Sequence, residues 1–269
     1  MSDDVKAFVD NKLYRIEGFL HPVDAMGIAA VGSAQSDLNV TGSMMEIGVF
    51  WGRSFALLSR FLRPEEFGVA ADLFDIWARP GGTSKQLTTF RSTMRGLGFP
   101  DDRLIVLEGD SAEIDPADVV KQAGRIRLMS VDGGHEEHHV RNDIDIATNV
   151  INDGGVIIFD DFFNAQYPDV TLAVLSCLDS QLADYKPFLI TRNKLYVTQG
   201  NWAKRYISTL ENGKYWARTS LDRFKFRGHQ VLFLDQKLLY RAIYQTCATW
   251  GLGRLADRLL PNSKGKFKR

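Results

Sequence analysis

Apolar residues fall into short continuous runs separated by longer stretches with helical spacing. The runs at 44–47 (Met-Met-Glu-Ile), 68–73, 104–107, 126–131 and 156–159 (Val-Ile-Ile-Phe) predict strands, the last of them buried on both faces. Residues 53–62 place Phe55, Leu57, Leu58, Phe61 and Leu62 as on a helix lying against a sheet, and Pro64 stops it. Further helices are predicted over 85–97, capped by Ser84, and 136–151, closed by Asp153-Gly154-Gly155. Strands alternating with helices over 44–161 predict an α/β sheet, Rossmann-like and doubly wound, with its ligand crevice at the carboxyl ends of the strands.

The flanks read differently. Residues 4–17 carry Val5, Phe8, Val9, Leu13 and Ile16 at helical intervals, and Pro22 opens a second helix over 23–34. These are either a cover over the crevice or plain packing helices. Downstream, 167–182 predicts a helix and 188–199 an antiparallel hairpin around Arg192-Asn193. Residues 200–220 show no clean period, 225–235 predict one more strand or a buried arm, and 238–260 a helix before the basic tail Ser-Lys-Gly-Lys-Phe-Lys-Arg. The expectation is a seven-stranded sheet, mostly parallel with a C-terminal antiparallel hairpin, and helices on both faces. Residues 1–36 would be a helical cover, 37–200 the core and 201–269 an appendage.

Composition narrows the classes. With 45% hydrophobic and 25% charged residues the chain reads as an ordinary globular protein. Its 33 basic and 33 acidic residues cancel, so nothing global calls for nucleic acid or membrane. Cys177 and Cys247 form no ligand spacing or disulfide framework and fit a reducing cytoplasm. The start, Met-Ser-Asp-Asp-Val-Lys, is acidic where a signal peptide is basic and then apolar, and no run reaches the ~18 apolar residues of a membrane span. The reading is a cytoplasmic protein, with a homodimer suggested by apolar terminal helices and peripheral membrane contact by the basic C-terminus.

Chemistry concentrates where the strands end. Glu46-x-Gly48-x-x-x-Gly52-x-Ser54 follows the first core strand. It is neither the dinucleotide fingerprint nor a P-loop, and a carboxylate before the first glycine repels pyrophosphate. It fits a nucleoside ligand without phosphates, with the glycines leaving room for it. Asp72, ending the second strand, suits ribose hydroxyls or a turn cap. Asp110 and Ser111, after the third, suit a purine edge or an N-cap. Asp132, Asp160 and Asp161 end two further strands, and carboxylates placed together require a compensating cation, for which oxygen ligation favours Mg²⁺, Mn²⁺ or Ca²⁺. Asp160-Asp161 alone would read as a helix cap. His135, two glycines beyond Asp132, can take a proton at neutral pH, whereas His138 and His139 read as solvated helix residues.

Together these residues resemble class I S-adenosylmethionine-dependent methyltransferases, over about residues 18–199. Within that family the likeness is to metal-dependent O-methyltransferases of the catechol O-methyltransferase kind and of the macrolide sugar group. The resemblance implies that Glu46, Gly48, Phe50, Gly52 and Ser54 surround the methionine and ribose of the cofactor. Asp72 would hold the ribose, with Asp110 and Ser111 near the adenine. Asp132 belongs to both the cofactor and metal sets, and Asp160 and Asp161 complete the metal set, most simply for Mg²⁺. His135 stands where catechol enzymes carry a lysine, as in the sugar-modifying group. The implied reaction is O-methylation of a small molecule or sugar. The alternatives are another metal-dependent reaction on the same fold, hydroxylation or hydrolysis, and a membrane- or partner-docking protein.

Overall fold

The computed structural model describes residues 2–75, 85–213 and 219–236. The predicted loop 76–84 with the Ser84 cap, the helix at 238–260 and the basic tail lie outside the described residues. Nine strands among the described residues form one sheet in the order β3-β2-β1-β4-β5-β7-β6-β9-β8. They are β1 (Ser43–Ile47), β2 (Gly68–Asp72), β3 (Leu104–Glu108), β4 (Ile126–Val131), β5 (Ile151–Phe159), β6 (Tyr185–Ile190), β7 (Leu195–Gln199), β8 (Thr219–Phe226) and β9 (His229–Gln236). β1 to β5 are mutually parallel, and β7 pairs antiparallel with both β5 and β6. β1 is the switch point. The chain winds outward through β2 and β3, then returns to lay β4 on the other side of β1. The crevice of such a sheet opens at the carboxyl ends of β1 and β4.

Among the described residues eight α-helices cover the sheet. On one face lie α1 (Asp3–Asn11), α2 (Pro22–Asp37), α3 (Arg53–Leu58), α4 (Gln86–Gly96) and α8 (Trp202–Asn212), packed in one apolar cluster. On the other lie α5 (Pro116–Ala123), α6 (Glu137–Val150) and α7 (Pro168–Cys177). α2 is buried from Pro22 to Gln35, which its small residues Ala25, Gly27, Ala29, Ala30, Gly32 and Ala34 allow. The core helices and strands stand where the apolar pattern places them.

The differences are local. Two strands more than the seven expected come from 219–236, where a second hairpin joins the sheet through β9 beside β6. Charges on both faces of β8, Asp222 on one and Arg223 and Lys225 on the other, hide its alternation, and charge on an edge strand discourages pairing with another chain. α8 lies in the stretch read as patternless. Its apolar stripe is only Ala203, Tyr206, Ile207 and Leu210, set among charges. α5 was not anticipated, although Asp115 caps it and Pro116 opens it. Asp153-Gly154-Gly155 lies inside β5, near a register shift, instead of closing a helix.

Candidate active site

The end of β1 turns sharply. Gly48 and Gly52 have φ of +82° and +89°. A Cβ on Gly48 would stand 1.7 Å from the Asp132 carbonyl oxygen, and one on Gly52 2.7 Å from the Phe90 ring. Both glycines are therefore required by packing against the protein itself, beyond any room they leave for a ligand. Between them Phe50 holds φ +52°, a conformation costly for a residue with a side chain. Its amide donates to Asp72 Oδ2 at 2.7 Å, while Asp72 Oδ1 accepts from the Phe74 amide at 2.7 Å. A carboxylate has about four lone-pair positions, so Asp72 keeps acceptor capacity while clamping the turn. At the rim the exposed Phe19 ring stacks on Phe50 at 5.5 Å.

Glu46 lies fully buried in β1, and neither of its carboxylate oxygens closes a hydrogen bond. Burial pushes its pKa up to about 8, against the partial pull of the nearby Ser54 hydroxyl and the Lys194 charge. The buried Ser130 hydroxyl on β4 pulls on Glu46 in the same sense. Polar groups left unpaired in a sheet interior are costly.

The acidic ends of β4 and β5 meet beside this turn. Ligand atoms of Asp132, His135 and Asp161 all lie within 4.8 Å of one another. His135 Nε2 is 3.1 Å from Asp161 Oδ2, and its ring stacks on Tyr167 with centroids 3.8 Å apart and planes 13° from parallel. Burial would raise the Asp161 pKa, but hydrogen bonds from His135 and from Asn164 outweigh it, and the carboxyl is held low. Burial and then the charge of Asp160 push Asp132 well above the usual carboxylate range. Asp160 accepts from the Asp161 amide at 2.8 Å through Oδ1, and its Oδ2 takes the ammonium of Lys194. Asp110 and Ser111 act on the buried Asp143 of α6, the Ser111 hydroxyl pulling its pKa down and the Asp110 charge pushing it up. Asp110 caps its own 3-10 turn by accepting from Ala112, and Ser111 accepts weakly from Asn142 at 3.5 Å.

Three participants escaped the sequence. Lys194 immediately precedes β7, and the pairing of Phe159 with Leu195 puts it across from Asp160. Asp24, buried on α2, accepts from the Thr191 hydroxyl, and burial raises its pKa to about 6. Asp143 on α6 lies buried under Gly133 with Oδ2 unpaired. The required compensating cation was the one available signal for Lys194. His138 and Glu136, both largely exposed, approach each other at 3.5 Å on the outer side of the loop.

Residues 45–162, from Glu46 through the Asp160-Asp161 pair, match the family described as the methyltransferase domain. This segment is a methyltransferase domain. The match takes in the glycine turn and both acidic strand ends. No curated protein sequence matches the chain significantly. Among solved structures, the O-methyltransferase NovP is 17% identical with a TM-score of 0.54, over 66% of this chain and 79% of that one. CalS11, a TDP-rhamnose 3'-O-methyltransferase of calicheamicin biosynthesis, is 20% identical with a TM-score of 0.52, over 72% and 86%. The mycinamycin methyltransferase MycE, in complex with Mg, SAH and mycinamycin VI, is 16% identical with a TM-score of 0.50, over 74% and 55%. At these identities the likeness carries the methyltransferase fold. Among the described residues no helix is long and apolar enough to cross a membrane.

Proposed function

We propose that this methyltransferase uses S-adenosylmethionine to O-methylate a hydroxyl on a small molecule or sugar bearing neighbouring oxygens. The observation that carries the reading is the convergence of His135, Asp132 and Asp161 on the sheet edge beside the glycine turn of a methyltransferase domain. The unpaired Glu46 oxygens and the turn after β1 fit a cofactor with an amino group and ribose hydroxyls. Glu46, Gly48, Phe50, Gly52 and Ser54 would hold its methionine and ribose, Asp72 its ribose, and Asp110, Ser111 and Asp132 its remaining polar edge. When bound, the cofactor supplies the sulfonium methyl.

The carboxylate oxygens of Asp132 and Asp161, with Asp160 next to them in the chain, also fit a hard divalent ion such as Mg²⁺. When bound, the ion lowers the pKa of a hydroxyl it touches and offsets the alkoxide charge. SAH and Mg in MycE support both assignments. His135 accepts the hydroxyl proton. With Nε2 directed at Asp161, the free ring position is Nδ1, and the Tyr167 stack and the Asp161 hydrogen bond fix the ring for that transfer. Holding acceptor and methyl donor in near-attack geometry can supply roughly 7–11 kcal/mol of the barrier. Acceptor choice falls to the cover of residues 1–36, the aromatic rim of Phe19, Phe163 and Tyr167, and residues 201–269.

Transfer of labelled methyl to acceptors with vicinal hydroxyls tests the reading. Asp160→Asn is expected to abolish turnover while leaving cofactor affinity nearly intact. Transfer to amine or thiol acceptors alone, or a large loss of cofactor binding in that variant, would contradict it.

A further inference from the structure

The acidic cluster already contains a cation. Lys194 is 2% exposed, ion-paired with Asp160, and lies in the field of Asp132 and Asp24 as well. Its position is built rather than incidental. Thr191 N donates to Lys194 O at 3.0 Å, closing the turn between β6 and β7. The Asn193 carbonyl accepts from the Phe162 amide at 2.9 Å, and the Asn193 side chain donates to Asp161 Oδ1 at 3.3 Å. Thr191 anchors the other flank on Asp24 of α2. The turn is thus clamped from the loop after β5 and from the cover helix, and its lysine has no route to solvent.

We infer that Lys194 is a resident cation that sets how the cluster binds a divalent ion: it occupies Asp160, leaves Asp132 and Asp161 as the directly reachable carboxylates, and keeps that ion weakly held and exchangeable. The inference rests on the divalent-ion reading above and adds a positioning role for Lys194. Ligand charge count is a principal control of affinity for hard cations. A buried ammonium cancels one carboxylate of the set, and a buried carboxylate without any cation would be strongly disfavoured. The fold and the cofactor pocket consequently do not depend on added metal, because the charge balance is supplied by the chain.

The test is a titration with Mn²⁺ alone, free ion being read by its electron paramagnetic resonance signal, on the full chain and on the variants Lys194→Met and Lys194→Arg. Calorimetric binding of S-adenosylhomocysteine serves as the check that each variant is folded. Removing the ammonium is expected to tighten Mn²⁺ binding about tenfold or more, while Lys194→Arg, which keeps the charge, stays near the parent affinity. Equal or weaker Mn²⁺ binding by a Lys194→Met protein that still binds S-adenosylhomocysteine would overturn the inference alone. No Mn²⁺ uptake at millimolar concentration by either parent or variant, with S-adenosylhomocysteine still bound, would overturn the divalent-ion reading and the inference with it. Should Lys194→Met not fold, the parent decides: loss of S-adenosylhomocysteine binding or of the folded state on chelation contradicts a charge balance supplied by Lys194, and survival of both supports it.

Discussion

Glu46 concentrates the cost of the site in one side chain. Its carboxyl is fully buried without a hydrogen bond, and its pKa is pushed up to about 8 by burial. In the unfolded chain a glutamate titrates at about 4.3, so between these values the folded protein holds a proton that the unfolded chain has released. Stability that depends on this proton is fully present below the unfolded pKa and is lost as pH rises through the folded one. The ligand-free protein should therefore lose stability from pH 5 to 8, in denaturant titrations at each pH. Glu46→Gln should flatten that slope, add about 2–4 kcal/mol at pH 8, and weaken cofactor binding. A slope unchanged in the variant would assign the pH dependence elsewhere. His135 is the complementary case, a half-exposed ring aligned by Asp161 and Tyr167. His135→Ala should lower the single-turnover methyl-transfer rate by about 10²–10⁴ with S-adenosylhomocysteine affinity unchanged. Equal losses in both would make His135 a structural residue.

The turn between β1 and α3 couples elements as well as binding a ligand. Because a Cβ on Gly48 would meet the Asp132 carbonyl oxygen at 1.7 Å, Gly48→Ala must push the β1 and β4 loops apart. A loss of more than about 3 kcal/mol in stability, together with loss of S-adenosylhomocysteine binding, is expected from such a clash. Thermal denaturation beside calorimetry reads both, and an unaltered protein would contradict the geometry. This turn was legible because its signal is local: two glycines, a carboxylate and a serine within nine residues of a buried strand. The parallel strands were legible for the same reason, each being a short apolar run. Lys194 was not, because its partner is assigned only by the antiparallel register that sets Leu195 against Phe159. Asp24 was hidden similarly, on a helix whose contact with Thr191 spans most of the chain. Short or edge-exposed elements, α8 and β8, were lost because charges interrupt their period.

Across the whole molecule, binding chemistry and structural polarity occupy opposite ends of the sheet. At the amino end of β4, Arg127 is 1% exposed and pairs with Glu66 at 3.0 Å. It also donates to Gln35 Oε1 at 2.7 Å and to the carbonyls of Phe61 and Gly42. Removing one member of such a buried pair leaves an uncompensated charge, so Arg127→Ala should cost about 3–5 kcal/mol in stability. The folded fraction should still bind S-adenosylhomocysteine with parent affinity, and a selective loss of that binding would contradict the separation. The central claim is that the carboxyl edge is a cofactor site of a methyltransferase. Calorimetric titration of the full chain with S-adenosylhomocysteine, with Mg²⁺ and again with EDTA, tests it most directly. One site per chain with Kd on the order of micromolar is expected under both conditions. A folded protein that takes up no ligand in either titration would contradict it.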